Sequence, residues 1–269
     1  MASEPYVVSS VNYLDPDGPP PALYWRLPPP GTQDPQWEPH DVRIQDIRGH
    51  EHDYTMDEHG FEVIDIGVEV DIKADKKTVR NEYYPAVCEL VKNATGASEV
   101  YAFDYNFRSS AVTQYDEVAD KPAYLVHNDY TESSAAQRVR IELGDEKADQ
   151  LLAKRFVFIN LWRPINHTVE DLPLGIIAAK STTADDYVTC AMYWPDRDGE
   201  TWMVKHNPAH EWFYLSRMRT DEALLLKCFD SAKDGRARFA PHSAFQDPTS
   251  PADARPRESV EVRTVAFFD

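Results

Sequence analysis

Beyond residue 60, apolar and polar positions alternate with the two-residue period of a strand over much of the chain. The pattern predicts strands over Phe61–Val70, Val100–Phe107, Ala123–His127, Arg155–Trp162, Leu174–Ala179, Tyr187–Tyr193, Glu211–Leu215, Ala223–Asp230 and Val260–Phe268. One stretch breaks the rhythm. Across Asp75–Asn93 the apolar residues Val79, Tyr83, Val87, Leu90 and Val91 fall near helical spacing, with Asp75 as a cap and Gly96 as a stop. Pro85 should kink this helix or sit near a break. Thr131–Lys154 reads as a polar, partly helical connection interrupted at Gly144. Many short strands and one early helix predict a mainly β barrel or sandwich buttressed by helix.

The first 45 residues differ. Proline runs at residues 19–21 and 28–30 forbid helix, yet Tyr13, Tyr24, Trp25 and Trp37 supply more aromatic surface than a disordered tail carries. The expectation is an extended, proline-rich arm over residues 1–45, packed on a core of residues 46–269 where it could cover a site. No internal repeat or low-complexity linker divides the 269 residues, so a single domain is expected.

Charge narrows the function classes. Lys and Arg number 28 against 46 Asp and Glu, a net charge of −18. Such a surface repels phosphate backbones and anionic head groups, so no nucleic acid or membrane partner is expected. The start Met1-Ala2-Ser3-Glu4-Pro5 has neither the basic nor the apolar region of a secretory signal, which points to the cytoplasm. The three distant cysteines Cys88, Cys190 and Cys228 read as buried thiols, and without a C-x-x-C pair no structural zinc is expected. A homodimer is the default assembly.

The sharpest chemical feature is Leu125-Val126-His127-Asn128-Asp129. In extended chain His127 and Asp129 point to the same face. With one distant histidine they make a 2-His-1-carboxylate facial triad, which leaves three positions open on Fe(II). His242, flanked by Pro241 and apolar residues, is the candidate. Taken alone, H-x-D is a common surface pair, and His242 in isolation reads rather as a core histidine satisfied by one hydrogen bond. Downstream, Arg257, Ser259, Glu261 and Arg263 alternate with Val260 and Val262. Arg257 beside Ser259 suits bidentate recognition of a carboxylate, while a solvated edge strand is the plainer reading.

In this order and spacing, His127-Asn128-Asp129, His242 and Arg257-Glu258-Ser259 resemble the Fe(II)/2-oxoglutarate-dependent oxygenases. The segments Asn160-Leu161-Trp162-Arg163-Pro164-Ile165, Trp212-Phe213-Tyr214 and Lys227-Cys228-Phe229-Asp230-Ser231 resemble the fungal hydroxylase/desaturase group within them, which includes aspergillic-acid hydroxylase-like and gibberellin desaturase-like enzymes. The resemblance runs from about Arg48 to Phe268. It implies a double-stranded β-helix (jelly-roll, cupin-like), and Fe(II) on His127, Asp129 and His242. It further implies 2-oxoglutarate held by Arg257 and Ser259, with O2 as oxidant. The implied activity is oxidation of a C–H bond of a small natural product or modified amino acid in secondary metabolism, by hydroxylation, desaturation or ring closure. Arg163 and Arg263 are alternative partners for the co-substrate carboxylate. No residue is singled out for substrate binding.

Two other readings compete. One is a catalytically inactive jelly-roll binding protein. The other is a cupin-like metalloenzyme using His50 and His52, although these lie among polar residues without a supporting strand. His206 and His210 stand four apart, but Pro208 between them forbids the regular helix a zinc pair needs.

Overall fold

A computed structural model describes residues 5–67, 75–112 and 119–269. Its nine-stranded sheet runs in the order β1 (Tyr6–Leu14), β3 (Trp37–Asp46), β11 (Trp212–Tyr214), β8 (Leu174–Ile177), β13 (His242–Ala244), β6 (His127–Asn128), β10 (Asp198–Val204), β9 (Tyr187–Tyr193) and β2 (Ala22–Tyr24). A five-stranded sheet follows the order β4 (Phe61–Asp65), β12 (Glu222–Asp230), β7 (Phe156–Pro164), β14 (Glu258–Phe267) and β5 (Glu99–Ser109). Between the sheets, Leu174, Ile176 and Phe213 meet Phe158, Leu224, Leu226, Val265 and Phe267 in one buried cluster. The expected mainly β architecture is present.

The outer face of the smaller sheet is covered by helix. Val79, Tyr83, Val87 and Val91 pack on Val157, Ile159, Leu161, Val260 and Val262. Asp75 caps this helix by accepting from the Lys77 and Thr78 amides. Gly96 ends it with a φ of 71°, a value open to glycine at little cost. The expected kink is a π-helical turn, Val79–Tyr83, and Pro85, which has no N–H to donate, sits in the first turn of the α-helix Tyr84–Thr95 that continues it. The connection after Thr131 forms two helices, Glu132–Leu143 and Asp145–Leu152, divided at Gly144.

The structure corrects the reading of the N-terminal region as an arm. β1, β2 and β3 belong to the large sheet, with β1 and β3 paired along their length. The proline runs fall between these strands. The strand predicted over Ala123–His127 shrinks to His127–Asn128, with Leu125 in an isolated bridge to Asn12. The strand from Phe61 ends at Asp65, and positions 68–70 of the expected strand lie outside the described residues. β10 and β13 join the expected set.

One irregularity matters for the site. Arg263 of β14 pairs with Asp104 of β5, but Thr264 pairs with Ala102, so β5 carries one extra residue, Phe103. Up to this bulge Asp104, Asn106 and Arg108 are the partners of Arg263, Glu261 and Ser259. Beyond it Tyr101 pairs with Val265, and both belong to the core between the sheets.

Candidate metal centre

The inner face of β14 changes character along its length. Val265 and Phe267 lie in the apolar core at one end, while Arg263, Glu261 and Ser259 follow towards the other. β7 does the same, passing from Phe156 and Phe158 to Asn160. At this polar end His127 and His242 are direct cross-strand partners, with ring centroids 4.6 Å apart.

Asn128 sets the direction of its two neighbours. It is fully buried, its Nδ2 donates to the Tyr130 and Cys228 carbonyls at 2.9 and 2.8 Å, and its Oδ1 accepts from the Ala240 amide. With that side chain anchored on one face, His127 and Asp129 share the other. One nitrogen or oxygen from each of His127, Asp129 and His242 lies within 4.8 Å of the other two. Among the described residues no other set of three such side chains is so placed.

Both histidines are prepared for a cation. Nδ1 of His127 donates to the Leu125 carbonyl at 2.7 Å, and Nδ1 of His242 to the Ala240 carbonyl at 2.9 Å. A carbonyl only accepts, so Nδ1 holds the proton and Nε2 keeps a bare lone pair. Burial, reinforced by His242, pushes the His127 imidazole down to about 4. Burial also lowers His242. For Asp129 burial acts upward, but Arg263 and the two histidines outweigh it and hold the carboxyl well below the usual range. The donor set is two neutral imidazoles and one carboxylate, which fits Fe(II).

Arg257 is 1% exposed, and its Nη1 donates to the Leu172 carbonyl at 2.5 Å. Leu172 holds a φ of 48°, a conformation costly for leucine and retained where the surroundings demand it. The Arg257 Nε and the Ser259 hydroxyl are both buried without a hydrogen-bond partner. Burial, and then Arg108, push the guanidinium down to about 9. Among the described residues no carboxylate lies within ion-pair distance of Arg257. A buried cation with a spare N–H beside a spare hydroxyl is suited to an incoming carboxylate.

Arg163 is not brought to this group. It is the cross-strand partner of Val260 and so faces the helix, where it approaches the Tyr83 hydroxyl. Arg263 is committed to Asp104 at 3.0 Å and Glu261 at 3.2 Å. His50 and His52 lie at an exposed turn, with His50 3.5 Å from Asp53. Arg108 and Asn160 were not singled out from sequence. Arg108 shares the Ser259 face and acts electrostatically on both Arg257 and His242. The signal was the alternation Asp104, Asn106, Arg108; for Asn160 it was one amide in an apolar run.

His127 and Asp129 open into a cavity of about 770 Å³. Leu23, Trp25, Ile141, Met192 and Trp194 give it apolar walls, and Arg108, Lys121 and Arg197 line it with cationic side chains. Trp25 stacks on Trp194 at 5.0 Å.

A family model described as oxidoreductase/YMDC permease-like domain matches residues 11–267. The chain is 33% identical to the hydroxylase/desaturase CTB9 of Cercospora beticola, over all of this chain and 89% of that one. It is 32% identical to the Fe(II)/2-oxoglutarate-dependent dioxygenase nvfI of Aspergillus novofumigatus, over 99% of each chain. The solved iron and alpha-ketoglutarate-dependent endoperoxidase NvfI superposes with a TM-score of 0.88 at 29% identity, again over 99% of each chain. Among the described residues no helix is long and apolar enough to cross a membrane.

Proposed function

Since the chain belongs to the Fe(II)/2-oxoglutarate-dependent oxygenases and to their hydroxylase/desaturase relatives in fungal secondary metabolism, we propose that His127, Asp129 and His242 hold its iron while Arg257 and Ser259 hold its co-substrate. The chain is an oxidoreductase acting on a small molecule. Held by His127, Asp129 and His242, iron would supply, with 2-oxoglutarate and O2, the oxidising chemistry for a substrate C–H bond, with succinate and CO2 as co-products.

The protein's own residues carry the rest. The carbonyls of Leu125 and Ala240 fix the tautomers of the two histidines, so Nε2 is available to the metal. Arg257 and the Ser259 hydroxyl receive the distal carboxylate of 2-oxoglutarate and fix its orientation. Arg108 adds a second positive charge beside a dianionic co-substrate. The apolar walls at Leu23, Trp25, Ile141 and Met192 receive the substrate's carbon skeleton and exclude water from it. Where that skeleton rests decides between hydroxylation, desaturation and ring closure.

The observation that carries this reading is the pairing of two bare imidazole nitrogens and a carboxylate on the large sheet with a buried arginine that has no carboxylate at ion-pair distance at the start of β14, in the smaller sheet. The test is anaerobic addition of Fe(II) and 2-oxoglutarate. Wild type should develop the visible charge-transfer band of the chelate, and His242→Ala should not. No band in wild type defeats the function; a band that persists in His242→Ala defeats the ligand assignment.

A further inference from the structure

The two oxygens of Asp129 have different surroundings. Oδ1 is the one turned to the histidines, 3.7 Å from His127 Nε2. Oδ2 accepts a hydrogen bond from Asn160 Nδ2 and lies 3.8 Å from both Arg263 Nε and the Cys228 sulfur. Groups from β7, β14 and β12 therefore converge on one oxygen and leave the other clear. The Asn160 contact is the close hydrogen bond; the Cys228 thiol donates a longer, weaker S–H···O bond, and Arg263 Nε at 3.8 Å lies beyond the reach of a direct N–H···O bond.

Asn160 is fully buried, and its amide can point only one way. Nδ2 spans two acceptors, Asp129 Oδ2 and Glu261 Oε1, the latter at 3.2 Å. Turned over, the amide would set its oxygen against two carboxylates. Glu261 is itself tied to Arg263, which also reaches Asp104. The amide is thus clamped from behind by groups that do not touch the proposed metal position.

We propose that Asn160 is a positioning residue which makes Asp129 a one-oxygen ligand. Its hydrogen bond occupies Oδ2 and reserves Oδ1 for the metal. The physical need is a count of positions. Three protein donors leave three places on a six-coordinate ion, and a chelating keto acid with O2 requires all three. A carboxylate bound through both oxygens, which is within its ordinary repertoire, would take one of them. The proposal rests on the ligand set given above.

Cobalt(II) alone is a suitable probe, since its visible spectrum reports coordination and no turnover is needed. Wild type, Asn160→Leu and Asn160→Ala are titrated with Co(II) by calorimetry and absorption, then with 2-oxoglutarate. Asn160→Leu removes the donor at similar volume, and about 10–100-fold weaker cobalt binding is expected. Its cobalt spectrum should change, and the cobalt-loaded protein should bind 2-oxoglutarate at least about tenfold more weakly. Asn160→Ala leaves room for a water to donate in place of the amide and should lose less. Folded variants with cobalt affinities within about twofold of wild type and the wild-type spectrum would overturn the proposal. Failure of wild type to bind cobalt would instead overturn the ligand set itself.

Discussion

The two ends of the space between the sheets are built from the same strands, yet they are opposite in kind. At the closed end β7 and β14 contribute Val265 together with Phe156, Phe158 and Phe267, whose rings form a chain of contacts that includes Tyr130. A few residues along, the same strands contribute the buried Asn160, Glu261 and Ser259 and the partly buried Arg263, with buried Arg257 just before them. The closed end is satisfied by packing alone. The open end keeps the Arg257 Nε and the Ser259 hydroxyl without hydrogen-bond partners. Stability is concentrated at one end, which lets the other hold an arrangement completed only by ligands.

The largest break in that contrast should come from Phe158→Ala. Emptying this site, which is 0% exposed, should cost about 3–5 kcal/mol in urea unfolding. The remaining folded enzyme should keep its affinity for 2-oxoglutarate. An equal loss of that affinity would mean the two ends are not separable.

Acid should act next, and at the open end. The His127 imidazole is held at about 4 in the folded, metal-free protein, against about 6.5 in an unfolded chain. As pH falls the unfolded chain takes up its proton first. The associated stability is complete above about pH 6.5 and drains towards pH 4, by up to about 3 kcal/mol. Denaturation of the metal-free protein across this window should show a shallower pH slope for His127→Asn than for wild type.

Arg257→Met should separate function from stability. Losing a charge-assisted carboxylate contact of about 1.5–3 kcal/mol should weaken 2-oxoglutarate binding roughly 10–150-fold. Removing an unneutralised buried cation should at the same time stabilise the ligand-free fold by about 1–4 kcal/mol. A variant that melts lower than wild type would show that Arg257 is part of the packing. The smallest effect belongs to Arg163→Met, which faces the helix: its KM for 2-oxoglutarate should stay within about twofold of wild type, and a rise comparable to that of Arg257→Met would reassign the carboxylate partner.

Much of this organisation is legible in the chain. The period-two pattern locates β7, β9, β12 and β14, and the helical stretch announces both its cap at Asp75 and its stop at Gly96. The two-residue spacing of His127 and Asp129 is enough to put them on one face of an extended chain. The N-terminal strands are hidden for physical reasons. In β1 the inward set Val7, Ser9, Val11 and Tyr13 includes a serine, while Val8 points outward at 54% exposure, so the alternation is blurred. β3 contains Pro39 and is largely polar. The residues alone offer three arginines for one role, and the family resemblance puts Arg257 first among them. The β14 register adds that Arg163 pairs with Val260 and therefore takes the opposite face from Ser259.

The single additional residue at Phe103 works as a frameshift in three dimensions. A strand side chain's destination depends only on whether its position is odd or even, and β5 changes parity at this point. Odd positions on one side of it and even positions on the other thus reach the same interior. Deleting Phe103 would leave every other side chain chemically intact and reverse the address of either Asp104, Asn106 and Arg108 or Tyr101. The centre is accordingly protected by the length of β5 as much as by its composition. A one-residue deletion there should be more damaging than most single substitutions along the strand.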